Sequence, residues 1–364
     1  MTTNGQAPHP SFYSFAPGRV ELLGNHTDYN AGVVLSAAID MGITATGRRR
    51  DDEAIILISG QSQATANAGR LDPRSQWTDY PLGVVKVFQE AGFAVGGFEV
   101  EYAGTLPSGA GLSSSAALEV STAGLLVRLF GLKIPPLDLA RLCRKAENEF
   151  VGVNCGLLDQ ASSVFGRKDH VVFLDCRSET VTTIPLPDSV GLLIVDSAVK
   201  HALTGGEYNE RREQCFTAAG ILGADALRDV TSAELVAAAM PDQVRRRAAH
   251  VVGEIERVFA AEKCLRAGDV VEFGRLMSAS HRSSIENFEN STPELDALVD
   301  IACRQPGVHG ARLTGGGFGG AIVALVDVAA IERTAAEVVT EYQERTGHLG
   351  VAYPCRAGDG VLAD

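Results

Sequence analysis

The chain has 364 residues, 45% of them hydrophobic and 21% charged, with a formal net charge of −13. That length exceeds one ordinary core and asks for two domains, and the composition is that of a soluble globular protein. So acidic a chain has no general affinity for nucleic acid or anionic lipid, so a phosphate site must be built from local positive groups.

At the N-terminus, "MTTNGQAPHPSF" has no positive cluster followed by an apolar core, so no signal peptide is expected. No apolar run reaches membrane-spanning length. Gly18 to Asn30, "GRVELLGNHTDYN", then crowds Arg19, Asn25, His26, Asp28 and Tyr29 into one window. "EAIILIS", "FEVEYAG", "HVVFLDC", "GLLIVDS" and "GAIVALVD" read as strands, the second by its apolar–polar alternation. A helix is expected over 113–130, with serines at its start and Gly131 just past its end. In "IPPLDLARLCRKAENEF" the prolines mark a helix start, and Leu139, Leu142, Cys143, Ala146 and Phe150 fall at helical spacing. Residues 218–277, rich in Ala, Arg and Glu, read as mostly helical. Strands and helices come in groups without regular βαβ alternation, which predicts an α+β fold. A boundary is placed near Val190, where "PLPDSVG" separates two strand runs. The seven cysteines (143, 155, 176, 215, 264, 303 and 355) are scattered and odd in number, as free thiols of a reducing cytoplasm would be.

Two glycine clusters carry chemistry. In "LPSGAGLSSSAALEV", Leu106 to Val120, a strand leads through a Gly/Ser loop into a helix. Glycines admit an anion close to the backbone, and the helix start offers free N–H groups and a positive dipole end. No lysine follows, so this is not the GxxxxGK[ST] loop, and the serines after Gly111 break the dinucleotide pattern. The plain alternative is a turn with a serine N-cap, but only one of three serines can cap. In "GARLTGGGFGGAIVALV", five glycines among residues 315–320 exceed what a hairpin needs and point to close backbone approach. Asp159 falls in a first helical turn, opposite the apolar stripe of its segment, where a solvated carboxylate is the ordinary alternative. Glu147 sits at the edge of a buried stripe and needs a metal, an arginine or water as partner.

Together these stretches resemble the GHMP kinase superfamily, and within it the galactokinases. "GRVELLGNHTDYN" resembles the sugar-binding signature, "LPSGAGLSSSAALEV" the phosphate loop and "GARLTGGGFGGAIVALV" the third motif. "AENEFVGVNCGLLDQ", "VKHALTGGEYNERREQC" and "LMSASHRSSIENFENSTPELDALVDIA" favour the sugar-kinase branch over kinases of non-sugar alcohols.

The resemblance implies a two-lobed fold. The N-terminal lobe, 1–190, would resemble the second domain of ribosomal protein S5, and the C-terminal lobe, 191–353, would be ferredoxin-like. The tail 354–364 is free to return to the first lobe. The reaction would move the ATP γ-phosphoryl to the anomeric hydroxyl of galactose. Asp159 and Arg19 take the catalytic positions, Asp159 as a base or as an orienting group. Glu147 and Ser115 take the Mg²⁺ positions, hard oxygens that suit a cation sharing nucleotide phosphates. Pro107, Gly109, Ala110, Gly111, Leu112, Ser113, Ser114 and Ser115 would cradle the phosphates. Trp77 and Tyr80 would flank the adenine, with core packing as the alternative. The sugar would be held by Asn25, Asp28 and Tyr208 and by backbone near His26 and Gly156, because a polyhydroxylated ligand needs many short, fixed partners. The signature departs from its usual form: Asn25 stands for a glutamate that contacts the exocyclic C6 hydroxyl, and Glu21 for an asparagine. An amide at 25 would tolerate a uronate, so galacturonate, 6-deoxy and amino sugars stand behind galactose, and a non-catalytic ATP- and sugar-binding regulator behind the enzyme. The expected partner is a small sugar, with no nucleic acid and no membrane, in a cytoplasmic protein whose oligomeric state the sequence leaves open, a monomer being favoured.

Overall fold

The computed structural model describes residues 9–107, 110–200 and 204–361. Seven strands form the first sheet: β1 (Phe12–Leu23), β2 (Val33–Arg49), β3 (Ala54–Ser59), β4 (Ser62–Asn67), β5 (Phe98–Gly104), β6 (His170–Asp175) and β7 (Thr180–Pro185). Their order is β4-β3-β5-β2-β6-β7, with β1 paired to β2. All pairings are antiparallel except β3 with β5. A second, antiparallel sheet follows in the order β11-β8-β10-β9, from β8 (Val190–Lys200), β9 (Val308–Thr314), β10 (Gly319–Asp327) and β11 (Val351–Cys355). The two sheets and their segregated helices make the fold α+β, as the order of sequence patterns implies.

Four helices, α1 (Asp79–Glu90), α2 (Ser114–Phe130), α3 (Pro136–Lys145) and α4 (Leu158–Phe165), share a core with one face of the first sheet. The other face shares its core with α5 (Thr204–Leu222), α7 (Asp242–Arg266) and α8 (Val270–Ser283); the short α6 (Ser232–Ala237) lies between α5 and α7 in the chain. That same core takes in one face of the second sheet, and α9 (Pro293–Arg304) with α10 (Ile331–Thr346) cover the other. This explains the unbroken apolar run in β8. Leu192 and Ile194 point into the shared core, while Leu193 and Val195 point toward α9 and α10. A strand covered on both faces has no side left for polar residues.

The segment 356–361 leaves the second sheet and rejoins the first. Asp40 N donates to the Arg356 carbonyl, Gly358 N to that of Ala38, and Gly360 N to that of Gly166. No helix among the described residues is long and apolar enough to cross a membrane.

Candidate active site

The window 18–30 is half strand. β1 runs through Leu23, and the turn begins only at Gly24. Gly24 has φ +98°, and a Cβ there would lie 2.6 Å from the Val33 carbonyl oxygen, so both conformation and space require glycine. The turn's amides are held from the other half of the molecule. Gly24 and Asn25 N–H groups donate to Glu254 Oε2 at 3.0 and 3.2 Å. Burial works to raise the pKa of Glu254, but Arg257, His250 and Arg312 overcome it and hold the carboxyl well below its usual range.

His26 follows, with φ +61°. Burial lowers its pKa to about 4, so the ring is neutral near pH 7. Its Nε2 is 3.0 Å from the Gly316 carbonyl and its Nδ1 2.9 Å from the Tyr29 hydroxyl. A carbonyl only accepts, which puts the proton on Nε2. The Tyr208 ring packs on His26 at 5.0 Å.

Arg19 and Asp159 form a two-pronged ion pair, Nε to Oδ1 at 2.7 Å and Nη2 to Oδ2 at 2.9 Å. Arg19 Nη1 also donates to the Gly111 carbonyl at 2.8 Å, so the arginine fastens the Gly/Ser loop to the carboxylate. Ser113 precedes α2 in a left-handed conformation, φ +56°, and makes no side-chain cap. Its hydroxyl donates to Asp159 Oδ2 instead, so the serine N-cap alternative does not hold. Gly109 lies outside the described residues.

α3 runs directly into a π-helical turn, Ala146–Val151, which carries Glu147 inward to 5% exposure. Burial raises its pKa, and the hydrogen bonds that oppose this come from the neutral Cys155, Ser115 and Gln160. Gln160 Nε2 bridges Glu147 at 2.7 Å and Glu119 at 3.1 Å. Burial, with Glu147 next, pushes Glu119 up to about 10, so it is protonated near neutral pH. Glu147 and Ser115 thus present a carboxyl and a hydroxyl with no cation among their partners in the described residues. This is a hard-oxygen set that fits a divalent ion sharing its shell with phosphates. No group of three or more His, Cys, Asp or Glu side chains suited to a metal occurs among the described residues.

A cavity of about 180 Å³ opens between the two halves and brings together Arg19, Asn25, His26, Asp28, Gly156, Asp159 and Tyr208. Asp28 packs on Gly156, where a Cβ would meet its Oδ2 at 2.8 Å. Trp77 and Tyr80 are not in its lining. Trp77 meets Tyr102 edge-on at 6.0 Å, and Tyr80 opens α1 near Glu147. Asn25 differs from expectation. Its Nδ2 donates to Glu21 Oε1 at 2.9 Å and to the Gly315 carbonyl at 2.8 Å, so it has no proton left for a ligand. A carboxylate beside it also removes the reason for a uronate to be tolerated.

Sequence reading assigned no role to Glu254, Asn290 or Arg312. Asn290 takes the Phe318 N–H on its carbonyl and approaches Gly317 so closely that a Cβ there would lie 2.3 Å from its oxygen. The glycine excess of 315–320 was the available signal, and its close approach is to protein as well as to the cavity. Glu254 lies in a helical stretch and carries no local signal, whereas Arg312 lies inside the "GARLTGGGFGGAIVALV" motif, where the glycines alone were read.

Residues 2–49 match the galactokinase galactose-binding signature, 79–167 the GHMP kinases N-terminal domain and 261–344 the GHMP kinases C-terminal domain. The chain is 42% identical to a galactokinase of Mannheimia succiniciproducens, over 95% of this chain and 93% of that one. It is 40% identical to a galactokinase of a Roseiflexus species, over 97% and 93%. It superposes on the crystal structure of Lactococcus lactis galactokinase complexed with galactose with a TM-score of 0.90 at 34% identity, covering 96% of this chain and 94% of that one. The mevalonate kinase of Methanococcus jannaschii, at 19% identity and a TM-score of 0.69 over 98% of this chain and 100% of its own, shares the fold.

Proposed function

The chain belongs to the galactokinase family of GHMP kinases and is a sugar kinase, and we propose that it moves the γ-phosphoryl of ATP to the anomeric hydroxyl of galactose in the cavity between its lobes. The observation that carries the placement of the reaction is the Arg19–Asp159 pair. It lines the cavity and is tied to the Gly/Ser loop by Arg19 to Gly111 and by Ser113 to Asp159.

In this reading Asp159 holds the attacking hydroxyl by its proton, and Arg19 offsets charge on the transferring group. Phosphoryl transfer depends mainly on such positioning and electrostatics. The loop 107–115, at the start of α2, receives the phosphates, and Trp77 and Tyr80 flank the adenine. Asp28, Tyr208 and the backbone at His26 and Gly156 orient the ring. Glu147 and Ser115 would hold a magnesium ion, which supplies charge neutralisation on the nucleotide phosphates. The lobes are taken as 1–190 and 191–353. Seven free cysteines fit a reducing cytoplasm.

The test is ADP release on a panel of free sugars with ATP and magnesium. Galactose should give the highest kcat/KM. Turnover no faster than the sugar-free rate with every sugar would overturn the reading.

A further inference from the structure

Glu21 and Asn25 both line the cavity, and they divide their hydrogen-bonding capacity in opposite ways. The amide of Asn25 is spent inside the protein: Nδ2 on Glu21 and Gly315, and Oδ1 on Asn290 Nδ2 at 2.9 Å. Glu21 Oε1 takes Asn25 and, at 3.0 Å, Arg312 Nη1. Its Oε2 has no hydrogen-bond partner among the described residues, although the residue is only 6% exposed. That oxygen is not sealed in the protein interior: it is reached from the cavity that Glu21 lines, so it is open to a donor on a ligand.

The strand says which part of a ligand could supply it. Arg19 and Glu21 pair in unbroken register with Ala38 and Ser36, so both side chains leave β1 on the same face, about 6.6 Å apart along it. Arg19 marks the phosphoryl-transfer end. With the anomeric carbon at that end, Glu21 would stand roughly a pyranose ring away, opposite the hydroxyls most remote from it. Its charge is felt in the cavity. Burial, then Glu21 and Asp159 among the neighbouring charges, push the Asp28 carboxyl up to about 6.

We propose that Glu21 is a specificity-determining residue of the sugar site. Its free oxygen accepts a hydrogen bond from a hydroxyl at the far end of the ring, the exocyclic hydroxyl included, and its charge excludes uronates. Asn25 is a positioning residue that acts by holding Glu21, so the two form a unit. A carboxylate at position 25 alone would face the carboxylate of Glu21. This rests on the galactose-kinase reading above.

The experiment compares kcat/KM for galactose, galacturonate, fucose and 2-deoxygalactose in wild type, Glu21→Gln, Asn25→Glu and the exchange Glu21→Asn/Asn25→Glu. Ratios between sugars within one preparation do not depend on the folded fraction. In Glu21→Gln the galactose:galacturonate and galactose:fucose ratios should fall about tenfold or more, with galactose:2-deoxygalactose within about twofold of wild type. Asn25→Glu should lose galactose activity by about tenfold or more, and the exchange should recover most of it. Arg312 is fully buried, so if Glu21→Gln does not fold, Glu21→Gln/Arg312→Met removes both charges and is read in the same way. Unmoved ratios beside normal wild-type turnover overturn the proposal alone, as does a C2 ratio that moves as far as the others. A wild type inactive on all four sugars overturns the galactose-kinase reading and this proposal with it.

Discussion

Arg19 and Asp159 stand 140 positions apart and meet fork to fork at 2.7 and 2.9 Å. One residue comes from the middle of a strand and the other from the first turn of a short helix. The planar guanidinium fixes the plane of the carboxylate, and its third nitrogen fixes the loop at Gly111. Positioning on this scale is what phosphoryl transfer demands.

Asp159→Asn keeps the shape of the side chain and removes its charge and one acceptor. Turnover should fall by about a hundredfold or more while ATP affinity stays within about twofold. Steady-state kinetics beside nucleotide titration make the check, and a variant with over half the wild-type rate would take Asp159 out of the mechanism.

Glu147→Gln should raise the magnesium concentration needed for half-maximal rate, since a neutral amide is a weaker ligand for a hard cation. Gln160 can still bond the new side chain through its amide nitrogen, so the local fold should survive. A magnesium titration that coincides with wild type removes Glu147 from the cation site.

Asp28 sets a pH dependence. Burial raises its pKa from 3.8 to about 6. A raised carboxyl favours the protonated folded state, so this stabilisation is full below about pH 4 and is lost as pH rises through 6. Sugar hydroxyls that donate to Asp28 favour the ionised form instead. Galactose should therefore bind about tenfold more tightly at pH 7 than at pH 5, with proton release near pH 6. Calorimetry in buffers of different ionisation enthalpy tests this. A wild-type Kd as flat with pH as that of Asp28→Asn would refute it.

Arg312 carries its charge fully buried, paired with Glu21 across the two halves of the molecule. Arg312→Ala strands a carboxylate and should cost about 3–5 kcal/mol in urea denaturation. The double replacement Glu21→Gln/Arg312→Met should recover much of that loss. A single variant within about 1 kcal/mol of wild type would mean that water already relieves the pair.

The family, the α+β class and the loops that carry the chemistry follow from local pattern. Glycine clusters, serines before a helix and strand alternation are each set by neighbours a few residues away. "FEVEYAG", "HVVFLDC" and "GAIVALVD" became β5, β6 and β10 within a residue or two. What each polar side chain has left to offer a ligand could not be read this way. Glu21 and Asn25 sit four residues apart and both look available, but Asn25 is exhausted by Gly315 and Asn290, and Glu21 is held by Arg312. Those partners arrive from β9, the glycine loop and the segment before α9 only when the second sheet docks. A hydrogen bond is satisfied by whichever group stands within about 3 Å, and at separations of 265 to 291 residues only the tertiary fold decides which group that is.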